Sequence, residues 1–313
     1  MILWNSRIGL ESVIALNQAL GRKVQGHEDR LEMLIPLYTK LGGTRVEELT
    51  RQEGMTEYES DRNIRDNIVN IEGIDNENPS ETEPENVQHS NSSAFLLTKD
   101  GFVVTAYHGI KNYEEAWDRM EREDQDLAHN LRQWLPKMRL KYAIVDQAGH
   151  RYPIDPTFRV TDPVHDLAIV KAVIGPVPGK EPYPINVNVA VDDLEIGEEI
   201  RLRGLTDQEL YNQYGQVINS ARDTQIRYPR MGDETHNLKD TFITNAYGVP
   251  GFSGGVFDRK GEFAGLALYI IRDENKEMGY VGGAKVHHIL NLIFDAALIV
   301  ENGVLNAIRS RGQ

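Results

Sequence analysis

Apolar positions divide the chain into a helical part and a strand-rich part. Over the first 71 residues apolar side chains recur at spacings of three and four, which is typical of amphipathic helices. The runs 8–20 and 31–41 each stop at glycine, and a third run covers 57–69. We therefore predict an N-terminal helical module over residues 1–71.

Residues 72–89 differ sharply in composition from the module before them. They are acidic and interrupted by proline, and the wider stretch 66–98 contains no lysine or arginine. Such a segment has too little apolar surface to offset the entropy of ordering it. We predict an acidic flexible linker, and we expect a chain starting near Gln88 to fold without the module.

Beyond the linker the pattern becomes that of short strands separated by turns. Residues 94–105 form two apolar runs around Lys99-Asp100-Gly101, which is a hairpin signal. Similar hairpins surround residues 146–149 and 258–261, and further strands are predicted at 167–173 and 199–205. Several short strands at this spacing predict a mainly β fold, a barrel or a sandwich.

Two helical segments interrupt the strand pattern. In residues 112–136 apolar side chains recur every three or four positions, which is typical of an amphipathic helix, and the segment ends at Pro136. This insertion either packs on the β domain or acts as a lid or docking element. A C-terminal helix is predicted over 284–302. It carries His287 and His288, but no third ligand is recognisable in the sequence, so we predict no metal site.

Composition narrows the classes of function. The chain has 34 basic and 48 acidic residues, a net charge of −14, which disfavours nucleic acid as a partner. It has no cysteine and therefore no disulfide or thiolate site. No secretory leader or membrane span is apparent, so we expect a cytoplasmic protein with no cofactor and no membrane partner.

The candidate chemistry centres on a serine set among glycines. Ser253 follows Gly251 and precedes Gly254 and Gly255, so its loop can turn tightly and expose backbone N–H groups. A serine nucleophile needs a base and an oxyanion hole. His108 is the candidate base, Asp166 its orienting carboxylate, and the N–H groups of Gly251 and Ser253 the oxyanion hole.

Asp162 is the alternative to Asp166 for the carboxylate role. We favour Asp166 because the apolar strand begins directly after it.

Three segments carry a resemblance to a known family. Residues 93–108, 152–168 and 242–255 resemble, in that order, the histidine, aspartate and nucleophile segments of trypsin-like serine peptidases of the HtrA type. The resemblance covers about residues 90–300. It implies two antiparallel six-stranded β-barrels, about 90–185 and 186–283, within a protease domain over 90–313. The chain ends soon after the terminal helix, so no PDZ domain is expected.

Phe252 departs from the family pattern. The family usually has aspartate or asparagine there, and phenylalanine cannot form an ion pair with a freed amino terminus. That route of activation is therefore excluded for this chain, and how the oxyanion loop is held stays an open question.

The resemblance also implies a substrate-binding surface. Tyr247 lies at the position that forms the base of the specificity pocket, and no carboxylate is there. Leu268, Tyr269 and Ile270 form the strand that pairs with substrate, and Ile270 narrows the pocket mouth. We expect an apolar or small residue, not a basic one, before the cleaved bond.

Three functions stay open at this point. The first is a serine endopeptidase acting on proteins or peptides. The second is a pseudoprotease that binds without turnover, a reading that only Phe252 favours. The third is a partner-activated signalling or defence protease, recruited through the helical module by a regulatory protein.

Overall fold

The computed structural model describes residues 55–74, 89–111, 142–175, 186–190, 192–206, 209–227, 235–271, 279–296 and 299. The chain divides into two compact units, Met1–Gly54 and Met55–Gln313. The predicted helices at 8–20 and 31–41 lie outside the described residues, as do most of the linker and the insertion 112–136.

The first barrel is built from six antiparallel strands. They are β1 (Ile68–Ile74), β2 (His89–Leu96), β3 (Phe102–Ala106), β4 (Tyr142–Val145), β5 (Arg151–Asp162) and β6 (Leu167–Ala172). Their order is β1-β2-β3-β6-β5-β4, and pairing of β1 with β4 closes the ring. The side chains that fill this barrel are Val69, Ile71, Ala94, Val103, Ile110, Tyr142, Ile144, Ile154, Ala168, Val170 and Ala172.

The second barrel follows in sequence and also has six antiparallel strands. They are β8 (Glu199–Thr206), β9 (Glu209–Arg227), β10 (Thr235–Gly248), β11 (Val256–Arg259), β12 (Glu262–Ile271) and β13 (Gly279–Lys285). Pairing of β11 with both β8 and β12 closes it, and the short β7 (Asn188–Val189) adds in parallel to β12. The predicted fold of two six-stranded barrels is confirmed.

Two helices are described. Helix α1 (Glu57–Asp66) begins with a capping box, in which Thr56 Oγ1 accepts the Glu59 N–H and the Glu59 carboxylate accepts the Thr56 N–H. Helix α2 covers 286–296 and confirms the predicted C-terminal helix over those residues. Neither described helix is long and apolar enough to cross a membrane.

The position of β1 corrects the domain boundary expected at residue 71. Residues 68–74 form a barrel strand, paired along its length with β2 and, over 70–73, with β4. The apolar run 57–69 looked like one helix, but Asn67 caps α1 and the chain then enters the strand. Val69 and Ile71 face the barrel interior, and Ile68, which points to the opposite face of the strand, is also buried. The acidic segment therefore connects two paired strands of one barrel.

Ion pairs and hydrogen bonds hold α1 to the second barrel as well. Arg203 in β8 is almost fully buried between Asp258 of β11, 2.7 Å away, and Asp61 of α1. The Ser60 hydroxyl of α1 accepts the Asn188 N–H at 3.0 Å. Helix α1 is thus part of the two-barrel unit.

Truncation tests this boundary. A chain starting at Gln88 lacks α1 and β1, so it opens the first barrel and exposes the edges of β2 and β4 together with apolar interior. We expect this chain to aggregate on expression. A chain starting at Met55 keeps every described strand and is expected to unfold cooperatively, near the midpoint of the full chain in a thermal melt.

Both truncations remove the segment before residue 55, which makes the second the matched control for the first. A soluble 88–313 chain with a cooperative transition would contradict the assignment of β1 to the barrel.

Candidate active site

His108 and Asp166 are brought together at the end of the first barrel. His108 lies in a 3₁₀ turn, Tyr107–Gly109, directly after β3, and Asp166 directly precedes β6. Asp166 Oδ2 accepts a hydrogen bond from His108 Nδ1 at 2.7 Å, and Asp166 Oδ1 accepts the His108 N–H at 2.8 Å. With Nδ1 as the donor, a neutral His108 ring carries its basic lone pair on Nε2.

Asp166 has an unusual backbone conformation that its hydrogen bonds hold in place. Its φ is 55°, in the left-handed region that aspartate tolerates better than most side chains, and its exposed fraction is 3%. The Tyr107 N–H donates to its carbonyl at 2.9 Å. The turn therefore aims both carboxylate oxygens at His108.

Ser253 lies in the loop between β10 and β11, shaped by two glycines. Gly251 and Gly254 have φ of 97° and 85°. A Cβ at Gly254 would lie 1.8 Å from the Ser93 carbonyl oxygen, so no other residue fits. The Ser253 hydroxyl donates to the Leu268 carbonyl in β12 at 3.2 Å.

Phe252 anchors this loop by burial. Only 1% of the residue is exposed, and its ring meets Tyr211 edge-on with centroids 5.8 Å apart. A Cβ at Gly204 would lie 2.7 Å from Phe252 Cδ1, so the glycine leaves the space that the ring occupies. Apolar packing of Phe252 thus holds the loop without an ion pair.

Ser93 supplies a second anchor, which the sequence reasoning did not single out. This fully buried serine of β2 donates from its hydroxyl and from its N–H to the Gly251 carbonyl, at 2.9 and 3.0 Å. Its hydroxyl also accepts the Leu205 N–H of β8 at 3.0 Å. The sequence does not mark Ser93 for this role, because it follows the polar run His89-Ser90-Asn91-Ser92.

Asp162, the alternative carboxylate, belongs to a different group of side chains. It accepts hydrogen bonds from His165 Nδ1 at 2.6 Å and from the His165 N–H at 3.2 Å. Burial alone would raise the pKa of Asp162, but the hydrogen bonds and charge of His165 outweigh it, and the pKa is lowered.

The residues of the expected substrate surface lie near the end of β10 and in β12. Tyr247 is 39% exposed and lies beside Tyr280, with ring centroids 5.8 Å apart. A Cβ at Gly248 would lie 3.4 Å from Ile270 Cγ1, so Ile270 packs over the segment that carries Tyr247. Asn245 Oδ1 accepts the Gln216 N–H at 2.6 Å.

The Tyr269 side chain points away from the expected substrate surface. Its side chain is buried, and its hydroxyl shares a hydrogen bond of 2.9 Å with Thr241 Oγ1. Strand β12 pairs with β11 as far as Leu266, and Ala267 then exchanges backbone hydrogen bonds with Gly254 and Gly255. No described strand takes that edge beyond Ala267. Any contact of Tyr269 with a substrate strand would therefore come from its backbone.

One protein family and several solved structures are similar to this chain. A family model described as a trypsin-like peptidase domain matches residues 92–266, as the motifs of the sequence suggested. Among solved structures, the HtrA-type protease AlgW with a decapeptide matches at 13% identity with a TM-score of 0.47. The match covers 80% of this chain and 69% of that chain.

The active form of the Rv3671c protease from M. tuberculosis also matches, at 14% identity with a TM-score of 0.48. That match covers 77% of this chain and 86% of that chain. No curated protein sequence matches.

The anchoring role of Phe252 predicts a large loss of stability on truncation. Phe252→Ala leaves a cavity beside Gly204 and is expected to lower the free energy of unfolding by about 3–5 kcal/mol, measured by denaturant titration. Tyr280→Ala, which removes an aromatic ring that is 40% exposed, is the control and should change stability little. Equal losses from both variants would contradict the anchor.

Proposed function

Because the chain belongs to the trypsin-like peptidase family, we propose that it is a serine endopeptidase that hydrolyses peptide bonds of protein substrates. The catalytic residues in this proposal are His108, Asp166 and Ser253. The observation that carries it is the pair of hydrogen bonds from His108 to the buried Asp166 carboxylate. That arrangement fixes the tautomer a general base requires.

The proposed reaction begins with a rotation of the Ser253 side chain. Its hydroxyl leaves the Leu268 carbonyl and turns to His108 Nε2, as catalytic hydrogen bonds often form only with substrate bound. Nε2 takes the proton as Ser253 Oγ attacks the carbonyl carbon, and later returns it to the leaving amine. Asp166 stabilises the imidazolium formed in between.

The oxyanion is proposed to bind the N–H groups of Gly251 and Ser253. Two features support this assignment. Ser93 holds the Gly251 carbonyl by two hydrogen bonds, and Phe252 fixes the residue between the two donors by burial. Donors held in place before the reaction stabilise developing charge without a reorganisation cost.

Substrate is proposed to add as a strand to the edge of β12 beyond Ala267, where main-chain hydrogen bonds give affinity and the pocket gives specificity. The pocket is formed by Tyr247 with Ile270 at its mouth, both of them uncharged. A regulatory partner acting through the segment before residue 55 belongs to this proposal as its mode of control.

A pseudoprotease is the second candidate, and one observation favours it: the Ser253 hydroxyl is hydrogen-bonded to Leu268. Measured turnover separates the two candidates, because a pseudoprotease binds peptide without cleaving it.

Substitution of the three residues tests the catalytic assignment. Ser253→Ala and His108→Ala are each expected to lower kcat on a protein substrate by on the order of a millionfold. Asp166→Asn should lower it by on the order of ten-thousandfold, because it stabilises the wrong tautomer. Cleavage is measured by mass spectrometry of the products.

Asp162→Asn is the matched control, since Asp162 binds His165 as Asp166 binds His108. It should retain most of the activity. If Asp162→Asn lost most of its activity and Asp166→Asn lost little, Asp162 would be the carboxylate that orients the base, and the assignment of Asp166 would be wrong.

Cleavage specificity is a separate test. In a peptide library, cleavage should follow Leu, Val or Ala in preference to Lys or Arg, because an ammonium in this pocket lacks a counter-charge. Tyr247→Asp should introduce cleavage after Arg. Efficient cleavage after Arg by the unaltered chain would contradict the pocket assignment and leave the triad assignment intact.

A further inference from the structure

A second cluster of titratable side chains lies apart from the pair His108–Asp166. Three histidine rings are stacked: His165 on His288 with centroids 3.6 Å apart, and His287 on His288 at 3.9 Å. His165 comes from the turn before β6 in the first barrel, and the other two come from the start of α2 after the second barrel. The cluster therefore lies where the two barrels and the C-terminal helix meet.

His287 Nε2 and Asp240 Oδ2 face each other in this cluster, although both are acceptors when the histidine ring is neutral. His287 Nδ1 donates to Asp193 Oδ2 at 2.5 Å, which leaves the lone pair of a neutral ring on Nε2. That Nε2 lies 3.5 Å from Asp240 Oδ2, and His288 Nε2 lies 3.3 Å from the same oxygen. A lone pair facing a carboxylate oxygen is repulsive unless a cation, either a proton or a metal ion, lies between them.

We propose that Asp240, His287 and His288 bind a divalent transition-metal ion of the zinc type. Their ligand atoms lie within 4.8 Å of one another. Tetrahedral zinc with bonds of about 2.0–2.1 Å to nitrogen and oxygen holds neighbouring ligand atoms about 3.3–3.4 Å apart. The separations of 3.5 and 3.3 Å from Asp240 Oδ2 are close to that edge, and a water molecule would complete the four ligands, as in sites with three protein ligands.

The surroundings of the three ligands fit a cation. Asp193 orients His287 through its other ring nitrogen, which is the usual outer-shell arrangement at a metal-binding histidine. Lys285 occupies the other oxygen of Asp240, Oδ1, at 2.5 Å, and leaves Oδ2 facing the histidines. With neutral rings, Asp162, Asp193, Asp240 and Lys285 sum to a charge of −2, which a divalent ion neutralises.

The backbone at Asp240 also suits a conservative test. Its φ is 47°, a left-handed conformation that aspartate and asparagine both tolerate. Asp240→Asn therefore keeps the turn and the side-chain volume while it removes the anionic ligand. His287→Gln is a second variant, since His287 lies at the surface of the cluster and its side chain is 16% exposed.

Zinc binding to the full-length chain tests the site directly. The chain is freed of metal by dialysis against a chelator and titrated with Zn²⁺ at pH 7.5 in competition with a chromogenic zinc chelator. We expect one Zn²⁺ per chain, a raised thermal unfolding midpoint, and visible absorption typical of tetrahedral coordination when Co²⁺ replaces Zn²⁺.

The Zn²⁺ affinity of single variants shows which side chains are ligands of the ion. Asp240→Asn and His287→Gln should abolish the site, and Asp193→Asn should weaken it by about 10–100-fold. His150→Ala is the matched control, because His150 forms the same histidine–aspartate pair with Asp146, at 2.9 Å, on an exposed surface. His108→Ala must also retain the ion, which excludes binding at the candidate base.

Two results would overturn the proposal. One is a full-length chain that binds no Zn²⁺ and shows no shift in unfolding, which would leave a proton as the bridging cation. The other is unchanged affinity in cooperatively folded Asp240→Asn and His287→Gln. Neither result bears on the proposed peptidase activity, which uses different residues.

Discussion

One buried serine joins the parts on which the candidate active site depends. Ser93 belongs to the first barrel, yet its hydroxyl accepts the Leu205 N–H of the second barrel and donates to the Gly251 carbonyl of the nucleophile loop. Its own carbonyl accepts the Thr105 hydroxyl at 3.0 Å and lies against Gly254. A shift of the barrels relative to each other would break these bonds and leave buried polar groups unpaired. The loop position is therefore coupled to the packing of the two barrels.

The same loop is anchored without a charge. Phe252 fills a space that Gly204 leaves open, and apolar burial depends neither on a freed amino terminus nor on the pH of the solution. Zymogens that are activated by cleavage form an ion pair between the freed amino terminus and an acidic residue, and Phe252 cannot form that pair. Control of the proposed activity would then act through something other than the charge state of the loop, such as the segment before residue 55 or access to the edge of β12.

Most of the β architecture and the order of the candidate catalytic residues could be predicted from sequence, because alternating apolar runs and glycine turns are local signals. The strand Ile68–Ile74 was missed because its apolar residues continue the spacing of α1, and only pairing with distant β2 and β4 distinguishes them. The proposed metal ligands were missed for a related reason. Asp240 lies 47 residues before His287 in the sequence, and only the fold brings them together. The inward direction of Tyr269 depends on a register irregularity between Ala267 and Tyr269, which no sequence pattern reveals.

The central claim is that Ser253 is a nucleophile activated by His108 in the chain as it folds, without processing. Labelling with a fluorophosphonate measures this most directly, because the reagent phosphonylates a serine whose hydroxyl a neighbouring base activates. We expect one adduct per chain, located by peptide mass spectrometry on Ser253 and absent from His108→Ala. No adduct on the well-folded chain, or an adduct on another serine, would contradict it.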